Sequence, residues 1–221
     1  MRDIIEKVRS QLNWQVEEKV GSSGYFQIYT YPAERRHVIT WPAPNVADPP
    51  RLVELLHELI HAQLAEEVHP LFSGSFFVPG TSEALMRAVA PAVRAASDWF
   101  VDDRVMRLVP AQEEAQIREH LKLTKGKVSG DIFLGVSRGF IQAQAVKYGL
   151  FPAKKFKKKG QAISNRVMDA FLAVEPSQPT IKSLQKLVNL VLRAYSTLQV
   201  ELVRAQDMDV WKIREGLTKR R

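Results

Sequence analysis

Residues 51–66 read Arg51-Leu-Val-Glu-Leu-Leu-His57-Glu58-Leu-Ile-His61-Ala-Gln-Leu-Ala-Glu66, with two histidines four positions apart. Most of these residue types favour helix, so the run predicts a helix that passes through both histidines. Positions four apart share one helix face, and the imidazoles of His57 and His61 can therefore reach one metal ion. Glu58 lies on a neighbouring flank, where it can hold a metal-bound water molecule without occupying a coordination position.

The pattern H-E-x-x-H is the signature of zinc-dependent hydrolases. The chain has 5 histidines and 15 glutamates in 221 residues, and a random order of these residues would produce roughly 0.01 copies of the motif. The alternative interpretation is a helix that carries two surface histidines by chance. The apolar Leu55, Leu56 and Leu59 around the motif, together with the scarcity of histidine elsewhere, favour the metal site.

The composition limits the class of protein. A chain of 221 residues can form one domain, or one domain with an appendage. It has no cysteine, which excludes disulfides and thiolate zinc ligands. No run has the length and apolar character of a transmembrane helix, and the first residues lack the apolar core of a signal peptide. The default expectation is a cytoplasmic protein.

Charge is distributed unevenly along the chain. Residues 1–126 contain 14 Lys and Arg and 17 Asp and Glu, a net charge of −3, whereas residues 127–221 contain 18 and 7, a net charge of +11. This asymmetry favours a division into a catalytic core, residues 1–126, and a basic helical extension, residues 127–221, although a single domain is the alternative. A basic surface of this kind can bind nucleic acid or an acidic partner.

The basic surplus is densest in one short segment that contains five lysines and an interleaved aromatic residue. These are Lys154, Lys155, Lys157, Lys158 and Lys159, with Phe156 among them. We consider them candidate contacts to phosphates. No recognised nucleic-acid motif accompanies them, and a solvated lysine loop is the more frequent explanation.

Hydrophobic periodicity predicts a mainly α chain with a small β-sheet, an α+β fold. We expect an amphipathic helix over 3–20, and two strands, 25–31 and 36–41, that pair as an antiparallel hairpin. The motif helix should begin near Asp48 or Pro49, after a proline-rich loop. Further helices are predicted at 83–108 (kinked or split by Pro91), 111–123, 131–148, 161–174 and 179–206.

The order of a helix, a short sheet and an H-E-x-x-H helix resembles the minimal core of the zincin metallopeptidases. The resemblance covers roughly residues 25–108. It implies that an edge strand beside the active-site helix binds the substrate backbone by strand addition. Residues 36–41 are the candidate for that edge, and an ordinary core strand is the alternative.

A catalytic zinc site usually has three protein ligands, and the motif supplies two. The metzincin pattern would require glycine and histidine where this chain has Leu64 and Glu67, so that subclass does not fit. His69 comes two residues too late. In thermolysin-like sites a glutamate from the next helix completes the set, and Glu83 lies at nearly that spacing. However, Arg87 occupies the place of the supporting aspartate in that family.

Asp98 is the preferred third ligand, with Glu83 as the runner-up. Asp98 and Asp102 stand at positions i and i+4 in an apolar helix, where two carboxylates repel each other unless a cation neutralises them. This arrangement is similar to the gluzincin E-x-x-x-D pattern, which implies that Asp98 binds zinc and Asp102 orients a ligating imidazole. The segment also resembles that of some poorly characterised bacterial metallopeptidase-like domains. The presence of Asp rather than Glu is a departure from the gluzincin pattern.

A less specific interpretation also accounts for these acids. Three aspartates and three arginines lie close together in the sequence and can form ion pairs on a solvated helix face. They are Asp98, Asp102 and Asp103, with Arg94, Arg104 and Arg107.

The resemblance implies a Zn²⁺-dependent metallopeptidase that hydrolyses peptide bonds in a protein or peptide substrate, with Glu58 activating a zinc-bound water. No residue is singled out as the donor that stabilises the oxyanion. The alternative is a degenerate zincin, or a basic helical module, that binds nucleic acid or protein without catalysis.

Overall fold

The computed structural model describes residues 1–43, 52–124, 131–157, 161–205 and 207–216. These residues form a mainly α fold with a small β-sheet, as predicted. The helices and strands follow one another in the order α1 (Arg2–Arg9), β1 (Gln15–Val20), β2 (Gln27–Tyr31), β3 (Arg36–Trp41), α2 (Leu52–Glu67), α3 (Glu83–Leu108), α4 (Pro110–Leu123), α5 (Ile132–Lys147), α6 (Ala162–Leu172), α7 (Ile181–Leu192), β4 (Leu198–Ala205) and β5 (Met208–Glu215).

The chain divides into two compact units. The first comprises Met1–Gly74 and Phe100–Glu113, and the second comprises Ser75–Trp99 and Glu114–Arg221. Helix α3 is continuous through the division, so the chain passes from one unit to the other inside a helix. The division predicted between residues 126 and 127 lies outside the described residues.

In the first unit, three strands form a sheet in the order β1-β3-β2. The predicted hairpin is confirmed, because β2 and β3 pair antiparallel with Tyr29 opposite Val38. Its connection ends at Arg35, whose φ of 49° closes the turn in the left-handed region. The prediction that residues 36–41 form an exposed edge is wrong. Strand β3 is central, because β1 pairs parallel to its other side.

The predicted helix over 3–20 is also wrong in its second half, because α1 ends at Arg9 and residues 15–20 form β1. Tertiary pairing overrides the local helical pattern here. The backbone N–H groups of Asn13 and Trp14 donate to the carboxylate of Glu66 on α2, at 2.7 and 3.0 Å. The chain that follows gains a hydrogen-bonded ladder with β3 in place of helical bonds.

Helix α2 is the centre of the first unit. It packs against α1 and β2, and Leu56, Leu59 and Leu64 on it are fully buried. A polar chain also ties α2 to the sheet. The Nε2 atom of His37 lies 3.3 Å from a Glu66 oxygen, and its Nδ1 atom lies 2.8 Å from the Thr30 hydroxyl. These contacts fix the helix that carries the two motif histidines.

In the second unit, α5 and α6 pack closely because small residues face the contact. A Cβ atom added at Gly139 would lie 2.6 Å from Val167, which is too close without movement of one helix. Trp99 is buried, packs against Phe171 with ring centroids 5.3 Å apart, and donates from Nε1 to the Val174 carbonyl at 2.9 Å.

The predicted helix over 179–206 is wrong beyond Leu192. Residues 198–205 form β4, which pairs antiparallel with β5. The side chain of Asn189 on α7 binds the backbone of β4. Its amide oxygen accepts from the Val200 N–H at 2.8 Å, and its amide nitrogen donates to the Val200 carbonyl at 3.0 Å. The alternating polar and apolar residues of this hairpin also satisfy a helical pattern, and only the partner strand distinguishes the two.

The remaining helices agree closely with the predicted ranges. Helix α3 runs unbroken from Glu83 to Leu108 with Pro91 inside it, so the predicted split does not occur. The predicted start of the motif helix near Asp48 or Pro49 lies outside the described residues. None of the helices in the described ranges has the length and apolar character needed to span a membrane.

Candidate metal centre

Two helices supply the candidate ligands. His57 and His61 lie on α2, and Asp98 and Asp102 lie one turn apart on α3. One ring nitrogen of each histidine and a carboxylate oxygen of Asp98 all lie within 4.8 Å of one another. Among the described residues, this is the group of histidine and acidic side chains whose geometry suits a metal ion. The structure therefore brings together the three residues that the sequence nominated as ligands.

Asp102 fixes the orientation of the His57 ring. Its Oδ1 atom lies 2.7 Å from the Nδ1 atom of His57. Because a carboxylate accepts hydrogen bonds, the Nδ1 atom donates, and the neutral ring then carries a lone pair on Nε2. Asp102 is buried, with 8% of its surface exposed, so solvent screens this contact weakly. The contact is of the kind that orients metal-binding imidazoles in proteins.

The ring of His61 is held by the backbone. The carbonyl oxygen of Phe72 lies 2.5 Å from the Nδ1 atom of His61, and a carbonyl only accepts, so this Nδ1 atom also donates. Phe72 ends a short 3₁₀ turn, Pro70–Phe72. The turn begins at His69, whose Nδ1 atom accepts from the Leu71 N–H at 3.2 Å. His69 thus supports the turn that presents the carbonyl to His61.

Because both rings are held in this way, their Nε2 atoms lie close together. The Nε2 atoms of His57 and His61 lie 3.0 Å apart, with the ring planes at 72° to each other. When both rings are neutral, Nδ1 carries the proton in each, and each Nε2 atom presents a lone pair. Two lone pairs at this distance repel each other unless a cation lies between them.

Asp98 adds negative charge at the same place. Its side chain is half-buried, and its position one turn before Asp102 places it on the same side of α3. Two imidazole nitrogens and one carboxylate oxygen are a donor set that catalytic zinc sites use. The residues present therefore fit a divalent metal ion.

The other sequence candidates have different surroundings. Glu58 lies beside His57 on α2 and is half-buried. Glu83 does not belong to the metal-binding group. It is exposed at the start of α3, and its carboxylate forms an ion pair with Arg87 at 2.5 Å. Its role in the structure matches that of an acid in the first turn of a helix.

A buried glutamate that the sequence analysis missed also lies near the site. Glu113 is 5% exposed, and burial, reinforced by the negative charge of Asp102 and partly opposed by His57, raises its pKa to about 8. It therefore carries a proton at neutral pH, and two adjacent buried negative charges are avoided. A signal existed in the sequence. Val109 and Ile117, four positions before and after Glu113, are both buried, which places Glu113 on an apolar helix face.

The arginines of this region pair with other acids. Asp103 forms an ion pair with Arg107, and Arg104 lies 2.8 Å from a Glu67 oxygen. The alternative interpretation, in which the aspartates form ion pairs with nearby arginines, therefore holds for Asp103. Asp102 instead bonds to His57.

The candidate lysines that the structure describes differ in their contacts. Lys155 places its Nζ atom 3.4 Å from the centre of the Phe151 ring, whereas Lys157 pairs with Asp169 at 3.0 Å. Lys154 is exposed. Lys158 and Lys159 lie outside the described residues.

Comparison with family models, with curated proteins and with solved structures finds no match to this chain. Any functional conclusion therefore depends on the chemistry of the site.

Proposed function

We propose that this chain is a zinc-dependent hydrolase of peptide bonds, with zinc held by His57, His61 and Asp98. One observation carries the proposal. The Nε2 atoms of the two histidines face each other at 3.0 Å, while both Nδ1 atoms are engaged with acceptors. This arrangement is unfavourable without a cation and suits one that accepts both lone pairs.

A shared proton is the competing explanation for the close nitrogens. A proton would suffice for two imidazoles, but it would not account for a carboxylate within 4.8 Å of both rings. The buried Asp102 adds a further negative charge behind His57. A divalent cation balances this charge better than one proton does.

When bound, zinc supplies a Lewis acid that polarises a carbonyl and makes an adjacent water molecule more acidic. Glu58, beside His57 on α2, would accept a proton from a water molecule at the site and would donate it to the amine nitrogen of the cleaved peptide bond. Asp102 and the Phe72 carbonyl hold the two imidazoles so that each Nε2 atom keeps its lone pair directed at the site. Glu113, protonated at neutral pH, adds no second negative charge beside Asp102.

Metal content and hydrolysis, measured on the same preparations, test the proposal. We expect one zinc per chain in the wild type by elemental analysis, and its loss in His57→Ala and in Asp98→Ala. His120→Ala is the matched control, because His120 is an exposed histidine of α4 and is not among the candidate ligands. Zinc retained in Asp98→Ala would return the third position to another residue. Zinc absent from the reconstituted wild type would overturn the proposal.

The catalytic part is tested with Glu58→Gln and an unstructured fluorescent protein substrate. We expect hydrolysis to fall by about 10²- to 10⁴-fold, the usual contribution of a general base, while the zinc content stays at the wild-type level. Undiminished hydrolysis in this variant would remove Glu58 from the mechanism. Bound zinc in a wild type that hydrolyses no peptide would favour the alternative, a zincin-like binding protein.

A further inference from the structure

A cavity of about 440 Å³ lies in the second unit, lined by residues from α4, from α5 and from the segment that follows α5. Four of the described lining residues are cations, and no aspartate or glutamate is among them. The cations are Arg118, Lys122, Arg138 and Lys155. A concave volume of this size can enclose a ligand as large as a mononucleotide.

Arg138 is the most informative of these residues. It is 4% exposed, and its Nη2 atom donates to the Thr124 carbonyl. Its Nε and Nη1 atoms are buried without a hydrogen-bond partner in the described part of the chain. A guanidinium with buried N–H groups left unused is costly, and burial lowers the pKa of Arg138 from its usual value. The position of this side chain therefore calls for an acceptor that the described residues do not provide.

Helix α5 holds the guanidinium in place. The close packing of α5 on α6 at Gly139 leaves the helix little freedom to move away. Gln142, one turn after Arg138, lines the same cavity and is 6% exposed. Its Oε1 atom is also buried, without a hydrogen-bond partner among the residues that the structure describes. One face of α5 thus presents unused donors and an unused acceptor to one cavity.

The rest of the wall is apolar. Phe151 and Phe156 meet edge to face, with ring centroids 6.0 Å apart and planes at 84°, and Leu121 adds an aliphatic surface. The Lys155 ammonium lies 3.4 Å from the Phe151 ring centre. This cation has an aromatic face as its neighbour and remains available to an anion in the cavity.

From these contacts we infer that the cavity binds a small organic phosphate of mononucleotide size. The phosphate accepts hydrogen bonds from Arg138 and is surrounded by Arg118 and Lys122. A planar ring packs against the apolar wall, and a ligand hydroxyl or amine donates to Gln142. A phosphate dianion fits four cations better than a carboxylate monoanion does. The cavity shares no lining residue with the proposed zinc centre, and the inference does not depend on that proposal.

Isothermal titration of the full chain tests the inference, with adenosine monophosphate as the probe. We expect saturable binding of one equivalent to the wild type. Adenosine, which lacks the phosphate, and inorganic phosphate, which lacks the ring, should each bind at least about tenfold more weakly. Adenosine-5′-carboxylic acid separates the two anion types. Equal affinity for this compound would overturn the assignment to phosphate, and equal affinity for adenosine would overturn the role of the anion.

Variants then locate the binding site. Arg138→Met should weaken binding of adenosine monophosphate by about 10- to 100-fold. Because a buried substitution can impair folding, the exposed pair Arg118→Ala/Lys122→Ala provides a second test and should weaken binding at least about fivefold. The matched control is Lys182→Ala/Lys186→Ala, which removes the same charge from exposed positions on α7.

Two outcomes of these measurements contradict the inference. Equal loss of affinity in both double variants would mean that net charge, rather than the cavity, attracts the nucleotide. Loss of binding in His57→Ala would mean that the phosphate binds at the metal centre, so binding unchanged in that variant is expected.

Discussion

The two polar regions of this protein differ in how their buried groups are satisfied. At the candidate metal centre, the Nδ1 atoms of His57 and His61 each have an acceptor, and their Nε2 atoms face each other at 3.0 Å. In the cavity of the second unit, two nitrogens of Arg138 have no hydrogen-bond partner among the described residues. The first arrangement suits a cation, and the second suits an anion. In both regions, the arrangement of buried polar atoms indicates the charge of the proposed ligand.

The two regions also differ in how their buried polar groups affect the stability of the fold. A buried imidazole whose Nδ1 atom has an acceptor loses little stability, because that hydrogen bond compensates for burial. A buried guanidinium with unused N–H groups has less compensation. We therefore expect substitutions of the paired residues at the metal centre to lower the free energy of unfolding. Substitution of Arg138 should raise it.

The largest expected effect comes from breaking the contact that orients His57. Asp102→Asn keeps the size of the side chain but removes the charge that holds Nδ1 as a donor. Zinc affinity should fall by about 10- to 100-fold, as measured by competition with a chelator. Nitrogen NMR of the His57 ring should show a changed tautomer balance, which a purely structural role would not cause. Asp131→Asn is the control, because Asp131 is exposed and asparagine also caps helix α5. Unchanged zinc affinity in Asp102→Asn would contradict the role of this contact.

Local sequence patterns were sufficient for much of this region. The spacing of His57, His61, Asp98 and Asp102 depends on helix periodicity alone, and both helices form where that periodicity predicts them. The acceptor of His61 was not predictable. It is the backbone carbonyl of Phe72, and every residue has one, so no side-chain pattern reveals it.

The errors share one physical cause. Residues 15–20 and 198–205 have patterns compatible with helix, and each becomes a strand because another strand pairs with it. Strand propensity depends on neighbours more than helix propensity does. The central place of β3 was hidden for the same reason, since β1 was not recognised as a strand. Arg138 was missed because a single arginine in an apolar helix does not reveal whether its nitrogens are paired.

A smaller effect, of opposite sign, is expected in the second region. Arg138→Met replaces the poorly paired guanidinium with an apolar side chain, and it should raise the free energy of unfolding by about 1–2 kcal/mol. Urea denaturation of the protein without added nucleotide measures this change. Arg166→Met, at an exposed position of α6, should leave stability within about 0.5 kcal/mol of wild type. A clear loss of stability in Arg138→Met would show that the bond to Thr124 outweighs the unpaired nitrogens.

The smallest effect concerns pH and a paired histidine in the first unit. His37 is fully buried, and burial lowers its pKa below the usual value of 6.5, although the Glu66 carboxylate partly opposes this. Its hydrogen bonds suit the neutral ring, because Nε2 donates to Glu66 while Nδ1 accepts from the Thr30 hydroxyl. The unfolded chain therefore takes up a proton at a higher pH than the folded chain does. The stability contributed by neutral His37 is complete above about pH 6.5 and is lost as the pH falls below that value.

Urea denaturation at several pH values between about 7.5 and 5 tests this sign. The wild type should lose stability toward pH 5, and His37→Gln should show a flatter profile, even if its stability at pH 7.5 is lower. His120→Gln removes an exposed histidine of α4 and should keep the slope of the wild type. If both variants show the same slope as the wild type, His37 contributes nothing to the acid sensitivity. If only His37→Gln shows a flat profile of stability against pH, protonation of His37 causes the acid sensitivity of the first unit. A buried group can then make stability depend on pH even though both of its ring nitrogens have hydrogen-bond partners.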